Sequence, residues 1–373
     1  MQREISIAGT GQTRFGELWD KSIRDLMDEA VTNAITSAQC TALDIDTIVV
    51  ANMLAEVTNG QAHLGALASS LLPHHPPAIR VEAACGSGAA AVHTACALLE
   101  SGRAQTVLVV GVEKMTDVSV TDVASALMGA ADSERERPAG LTFPGIFGLI
   151  ATRYMHEYGL TRDDLNLVSA VHHRNAVANP FAQFRSEIMP EAVSRSTLVA
   201  DPLCLLDCSP ISDGAAACIL STTLRGDVRI AASQIATDQL CIADRPTITA
   251  FSASQEAMEH ALMEASVKRS EIAAIETHDC FSIAALINLE DLGFADPGRA
   301  IEIYRGLWEG NTDLGVNRSG GLKGCGHPVA ATGIKQINDI AKQLTISGHQ
   351  WGVAHNFGGA ASTAGVHILE HIS

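Results

Sequence analysis

Apolar positions along the chain alternate between two spacings. Ile5–Ala8 is a short apolar run that predicts a strand. From Ser22 to Ser37, the residues Ile23, Leu26, Met27, Ala30, Ala34 and Ile35 recur at the spacing of one helix face. Leu43–Ala51 (LDIDTIVVA) then predicts a strand led in by an acidic turn. The same order returns further on. Ala257, Ala261, Leu262 and Ala265 mark a second helix face, and Ile272–Ile275 stands where Ile45–Ile48 stood, an offset of 227 residues. An offset that holds through helix, turn and strand predicts an internal duplication, with a period too long for a solenoid.

The likeness continues more loosely. Ile79–Val81 leads into Cys85-Gly-Ser-Gly88, a helix of small residues over Ala89–Leu99 and a buried strand over Thr106–Val112. In the second half, Gly320–His327 leads into a helix over Ala331–Gln343 and a buried strand over Trp351–His355. Strands alternating with helices predict a mixed or parallel sheet covered on both faces, an α/β architecture. Met115–Ala200 departs from this plan. It carries more charge, with SERERP at 133–138, and helical spacing near 146–158 and 161–178. It reads as an insertion able to lie over a site. Asp213–Leu220 returns to an apolar strand. The resulting division is 1–116 plus 202–224 for one half, 117–201 for a loop domain and 225–373 for the other half.

Composition narrows the functional classes. Of 373 residues, 47% are hydrophobic and 18% charged, a balance that disorder does not tolerate. Aromatics are only 4%, so the core packs small side chains closely. Lys and Arg number 25 against 42 Asp and Glu, giving −17, a field that repels nucleic-acid backbones and anionic lipid surfaces. Apolar runs such as Thr106–Val112 fall far short of the ~18 residues that cross a bilayer. The N-terminus reads as a strand without a secretory signal, and nine cysteines in that setting read as reduced thiols, which implies a cytoplasmic protein.

Three segments carry candidate chemistry. In Glu82-Ala-Ala-Cys85-Gly-Ser-Gly88 a strand stops and a helix begins at a cysteine. Helix-terminal N–H groups favour a thiolate and can hold a developing oxyanion, although a buried cysteine at a tight turn would look the same. In Gly320-Gly-Leu-Lys-Gly-Cys-Gly-His327-Pro328 a rigid, glycine-rich turn holds one histidine. Such a residue can deprotonate a thiol, and a following helix N-terminus keeps it neutral. The phosphate-loop pattern GxxxxGK[ST] is absent. In Glu276-Thr-His278-Asp279-Cys280-Phe281 a turn at a strand's end gathers His, Asp and Cys, with His278 and Cys280 two apart. No ligand pair has zinc-finger spacing, and Cys204-x3-Cys208 lacks a second pair close by, so no metal site is expected. His74-His75 and His172-His173 read as solvated doublets.

Together the three segments resemble the thiolase superfamily. EAACGSG (82–88), SDGAAA (212–217), ETHDCF (276–281), GGLKGCGHP (320–328) and NFGGAAS (356–362) carry the resemblance, with HHRNAVANPFAQF (172–184) in the insertion. The His-Asp-Cys-Phe version resembles the sterol-carrier-protein-type and archaeal-type branch, in which that cysteine replaces a second catalytic cysteine near the C-terminus. The resemblance implies a five-layered α/β/α/β/α fold of two similar halves plus a loop domain. It also implies a dimer or a dimer of dimers, coenzyme A thioesters as substrates and no further cofactor. It implies acyl transfer through Cys85 with His327 taking its proton, Cys280 as the second base, and catalytic His278. One oxyanion hole falls to His327 and His278, the other to the N–H groups of Cys85 and Gly359. Lys323, Arg185, Ser209 and Asn356 are the expected substrate-binding residues, with Arg174 and Arg195 as further candidates for the nucleotide entrance.

Two departures stand out. Ala330 stands where the family has glycine, and its methyl is expected to crowd the thioester arm. Cys325 stands where a bulkier or basic residue is frequent. They keep two alternatives open: a thiolase-like C-acyltransferase that works on a non-CoA acceptor with a small zinc-ribbon and OB-fold partner, and a catalytically silent acyl-CoA-binding scaffold.

Overall fold

Ser22 starts α1 (Ile23–Ala38) with a capping box. Its side chain accepts from the Asp25 N–H, and the Asp25 carboxylate accepts from the Ser22 N–H. In the computed structural model, which describes residues 3–372, this helix lies on β1 (Ile5–Gln12). The strand runs past the apolar stretch that predicted it. Gly9 and Gly11 interrupt the pattern because a Cβ on either would stand 2.5 or 2.2 Å from carbonyl oxygens of α1. The helix occupies the space their side chains would need.

The first half continues through β2 (Thr47–Ala51), α2 (Ala55–Thr58), α3 (Leu64–Ser69), β3 (Ala78–Val81), α4 (Ser87–Glu100) and β4 (Thr106–Glu113). Next come α5 (Val120–Leu127), α6 (Phe143–Tyr158), α7 (Arg162–Ala176), α8 (Pro190–Arg195), a small ribbon of β5 (Leu198–Ala200) and β6 (Leu203–Cys204), and β7 (Gly214–Ser221). The second half runs β8 (Val228–Thr237), α9 (Ser252–Ala265), β9 (Ile272–Glu276), α10 (Ser282–Asp291), α11 (Ala300–Glu309) and β10 (Gly315–Val316). It ends with α12 (Gly321–Cys325), α13 (Thr332–Ser347), β11 (Trp351–Gly358) and β12 (Thr363–His371).

The duplication is visible in the sheet. Strands lie in the order β3-β2-β4-β7-β1 in one half and β10-β9-β11-β12-β8 in the other. In each, the first three are parallel and the last two antiparallel. The halves meet where Ile5 and Ser6 pair with Ile230 and Arg229. The acidic turns match as well: Ala42–Asp44 and Arg269–Glu271 each form one 3₁₀ turn before the second strand of their half. Leu43 and Ile45 therefore precede β2 rather than extending it. The Asp44 carboxylate closes that turn by accepting from the Thr41 N–H and hydroxyl at 2.7 and 2.8 Å.

Five layers result. α1 and α3 cover the outer face of the first sheet, α9 and α10 the outer side of the second, and α4 and α13 lie between and touch both. Every residue of β4 is buried, as a strand covered on both faces requires. The central pair explains the small-residue composition. A Cβ on Gly88 would stand 2.8 Å from the Ala330 carbonyl oxygen and the Gly333 nitrogen, and one on Gly333 would stand 2.6 Å from the Ala89 nitrogen. The N-terminal turns of α4 and α13 thus touch backbone to backbone. No helix among the described residues is long and apolar enough to cross a membrane.

Gly333→Ala is expected to destabilise the fold by about 1–3 kcal/mol, because the added methyl has no room against α4. Urea unfolding would show this as a lower midpoint at unchanged slope, and an unaltered midpoint would contradict the close approach.

Candidate active site

β3 ends at Val81, and the chain enters α4 through a strained elbow. Ala84 has φ +51, a left-handed conformation that non-glycine residues rarely hold. Ser87 secures it: its hydroxyl donates to the Ala84 carbonyl at 2.6 Å and accepts from the Ala83 N–H at 2.9 Å. The elbow leaves Cys85 partly exposed just before the helix N-terminus. Burial pushes its thiol up to about 12, against the pull of the Gly359 N–H. At neutral pH this sulfur keeps its proton until a base removes it.

His327 has the geometry of that base. The Thr332 hydroxyl donates to the Pro328 carbonyl at 3.2 Å, so its oxygen accepts from His327 Nδ1–H at 2.8 Å. That assignment leaves the Nε2 lone pair free, and this nitrogen has no partner among the described residues. Burial lowers the imidazole to about 4, with the Asp279 charge opposing, so it is neutral at pH 7. His278 is arranged in the opposite sense. Its Nδ1 accepts from the Asn356 amide at 2.8 Å, which puts the proton on Nε2, again unpartnered. Burial holds His278 well below the usual imidazole range. The two rings meet edge to face at 4.9 Å. The Cys85 sulfur and one nitrogen from each ring all lie within 4.8 Å of one another. One imidazole thus offers a lone pair and the other a proton around a single sulfur.

The remaining walls come from both halves. Gly358 passes under the elbow, where a Cβ would stand 2.2 Å from the Ala83 carbonyl oxygen, and Gly359 has φ +63. Phe357 lies against His278 at 4.1 Å between ring centres. Cys280 is buried, and burial followed by the charge of Cys85 pushes its thiol well above the usual range. The Ser209 N–H donates to the Cys280 carbonyl at 2.8 Å, which places Ser209 beside it. Asp279 joins the two catalytic loops: it accepts from the N–H groups of Leu322 and Lys323 at 2.7 and 3.2 Å, and from His172 Nδ1–H at 2.7 Å. Tyr304 donates to His172 Nε2 at 3.0 Å.

Several expectations change. His172 and His173 are buried, at 1% and 3% exposure, not solvated: one is bound to Asp279 and the other accommodated by the Ser186 carbonyl and the Phe184 ring. Lys323 is also buried, beneath Phe184, and does not stand at a surface entrance. Arg185 and Arg195 are exposed. Arg174 is occupied by the Leu307 and Trp308 carbonyls and stacks on Trp308. Ala330 belongs to the apolar cluster of Val109, Ala216 and Ile334, so its methyl packs into the core and not against a thioester arm. Cys325 donates to the Ser319 carbonyl at 3.1 Å. Sequence reading missed Thr332, whose position five residues after His327 in the first turn of a helix was the available signal. It also missed Glu113, a buried carboxylate that accepts from the Met53 and Leu54 N–H groups and that burial pushes up to about 8. Among the described residues, Cys85, His278 and His327 are the one donor set close enough to hold a metal. An ion there would occupy the nucleophile.

The chain matches the thiolase N-terminal domain over residues 5–223 and the thiolase C-terminal domain-like family over 235–371. It is 42% identical to an acetyl-CoA acetyltransferase of Methanothermobacter thermautotrophicus over 98% of this chain and 99% of the relative. It is 40% identical to an acetyl-CoA acetyltransferase of Methanocaldococcus jannaschii, again over 98% and 99%. Among solved structures it superposes on one described as "Ltp2-ChsH2(DUF35) aldolase" with a TM-score of 0.81 at 23% identity, covering 99% of this chain and 98% of that one. The chain belongs to the thiolase family.

Two outcomes follow from the ring assignments. Thr332→Val removes the acceptor that fixes the Nδ1 proton, so alkylation of Cys85 by iodoacetamide at pH 7 is expected to slow about tenfold, with Thr332→Ser retaining most of the rate. Peptide mapping by mass would check it. His327, held near 4 in the fold against about 6.5 unfolded, costs about 1.4 kcal/mol of stability per pH unit as pH falls from 6.5 to 4. His327→Asn should remove that loss, so the pH profiles of urea midpoints for the two chains should diverge below pH 6.5; profiles of equal slope would contradict a neutral imidazole in the fold.

Proposed function

We propose that this protein is a thiolase-type acyltransferase. It takes an acyl group from a coenzyme A thioester onto Cys85 and then makes or cleaves the carbon–carbon bond of a 3-ketoacyl-CoA, most simply acetoacetyl-CoA from two acetyl-CoA. The observation that carries this reading is the Cys85 sulfur facing a free lone pair on His327 and a free N–H on His278.

In the first half-reaction the Cys85 proton passes to His327 Nε2 and the thiolate attacks the thioester carbonyl. The N–H groups of Cys85 and Gly359 hold the oxyanion, and the departing coenzyme A thiolate recovers the proton from His327. In the second, His327, neutral again, takes the Cys280 proton, and the Cys280 thiolate removes a proton alpha to the carbonyl of a second thioester. His278 Nε2–H and the now protonated His327 Nε2–H hold the enolate oxygen, the carbanion displaces the Cys85 sulfur from the acyl carbon, and the released thiolate recovers the proton from His327. Burial is the first cause that keeps Cys280 protonated, so it acts as a base only after giving up its proton. Asn356 orients His278, Ser209 lies where a thioester arm would pass Cys280, and residues 117–201 cover the site. Exposed Arg185 suits the nucleotide entrance. No cofactor beyond the thioester takes part, and the working unit is a dimer.

A second reading gives the chain a non-CoA acceptor and a small zinc-ribbon and OB-fold partner. Its likeness in shape to a structure described with a DUF35 chain favours testing this, by assaying the pure chain beside the chain co-purified with such a partner.

Incubation with acetyl-CoA is expected to add one acetyl group to Cys85, detected by peptide mass, and its absence would refute acyl transfer. Cys280→Ala should still acylate at Cys85 yet lose condensation by about a hundredfold or more. Equal loss of both half-reactions would refute the division of roles.

A further inference from the structure

Lys323 is a buried cation that the reaction above does not use. It is 2% exposed on α12, and no described residue gives it an ion pair or a hydrogen bond. Its Nζ stands 5.6 Å from the centre of the Phe184 ring. Phe184 is fixed there because its N–H donates to the Gly324 carbonyl at 3.0 Å. An ammonium removed from water without an acceptor is costly, and burial draws this one down to about 8.

The charges nearest to it are already committed. Asp279 is taken by His172 and two backbone N–H groups. Asp207 accepts from Arg162 at 2.8 Å, the Ser282 hydroxyl at 2.7 Å and the Cys204 N–H at 2.8 Å. His173 stacks on the same Phe184 ring, and burial and Lys323 together keep it near 4, so it is no second cation at neutral pH. Cys208 links this place to the catalytic one. It pairs with Phe281, next to Cys280, in an isolated antiparallel bridge, and it lies near enough to Lys323 to be among the groups that bear on its titration.

We infer that Lys323, roofed by Phe184 and flanked by Cys208, is a specificity-determining seat for an anionic oxygen: a carboxylate at the far end of the substrate's acyl chain. This deepens the acyl-transfer reading and rests on it for the nature of the ligand. Asp279, next to Cys280, accepts from the Lys323 backbone N–H, so on this reading a thioester held at Cys85 would extend its chain past Cys280 to reach this ammonium. A carboxylate there supplies the acceptor that the protein withholds, whereas an unsubstituted chain leaves the cation unpaired.

Binding tests this without requiring turnover. In a Cys85→Ala background, succinyl-CoA is expected to bind about ten- to a hundredfold more tightly than butyryl-CoA, the range of a hydrogen bond to a charged group. Lys323→Met should collapse that ratio towards one, and Lys323→Arg should keep most of it. Because the readout is a ratio within one protein, partial loss of folded chain does not alter it. The same pair as N-acetylcysteamine thioesters, which lack phosphates, should show the same ratio. Equal affinities for the two acyl chains, or a ratio that Lys323→Met leaves intact, would overturn the proposal. Weakening of both coenzyme A thioesters by Lys323→Met, with neither truncated thioester affected, would assign the seat to a phosphate and overturn the carboxylate. Failure of acetyl-CoA to label Cys85 in the unaltered chain would count against acyl transfer alone, since these affinities do not depend on it.

Discussion

The site depends on the contact between Gly88 and Gly333. Two helices from opposite halves can bring their first turns together only if neither carries a side chain there. Each helix is preceded by a loop bearing a reactive group: Cys85 stands just before α4, and His327 before α13. Backbone contact between the helices therefore sets the separation of sulfur and imidazole. A methyl at either glycine would move the chemistry as well as strain the core. Gly111 lies against the same Ala330 carbonyl, with 2.5 Å available to a Cβ, so the close approach extends from the helices to β4.

Electrostatics then decides what each group can do. The thiols are held protonated and the imidazoles neutral, all chiefly by burial. What distinguishes the two histidines is which nitrogen is engaged. Thr332 accepts from one ring and Asn356 donates to the other, so two identical side chains a few ångströms apart present opposite faces to the substrate. This division needs no charge in the resting protein and so avoids the expense of burying one. Asp279, a buried carboxylate, is satisfied by three donors and holds the loop of His327 to the loop of Cys280.

Much of this could be read before the structure. The repeated helix, turn and strand gave the two halves, and the matched 3₁₀ turns show that the correspondence reached the loops. Cys85, His278, Cys280 and His327 were legible because glycines and small residues mark the turns that present them. Other features were not. β1 seemed to stop at Ala8 because glycines that admit a helix look like breakers. His172 and Lys323 read as surface residues because polar type alone suggests solvent; only the packing of α7 against α12 buries them. Thr332 sits within a helical turn, and nothing in composition separates an orienting hydroxyl from an ordinary one.

The paired architecture has a consequence for the history of the site. One half, standing alone, would expose its small-residue helix and would have to associate with a second copy to cover it. In such a symmetric pair both approaching loops are the same, so a mutation that improves one as nucleophile alters the other identically. Covalent joining of the halves frees each loop to change by itself. The cysteine before one central helix and the histidine before the other are the kind of divergence that only a fused, asymmetric molecule can accumulate.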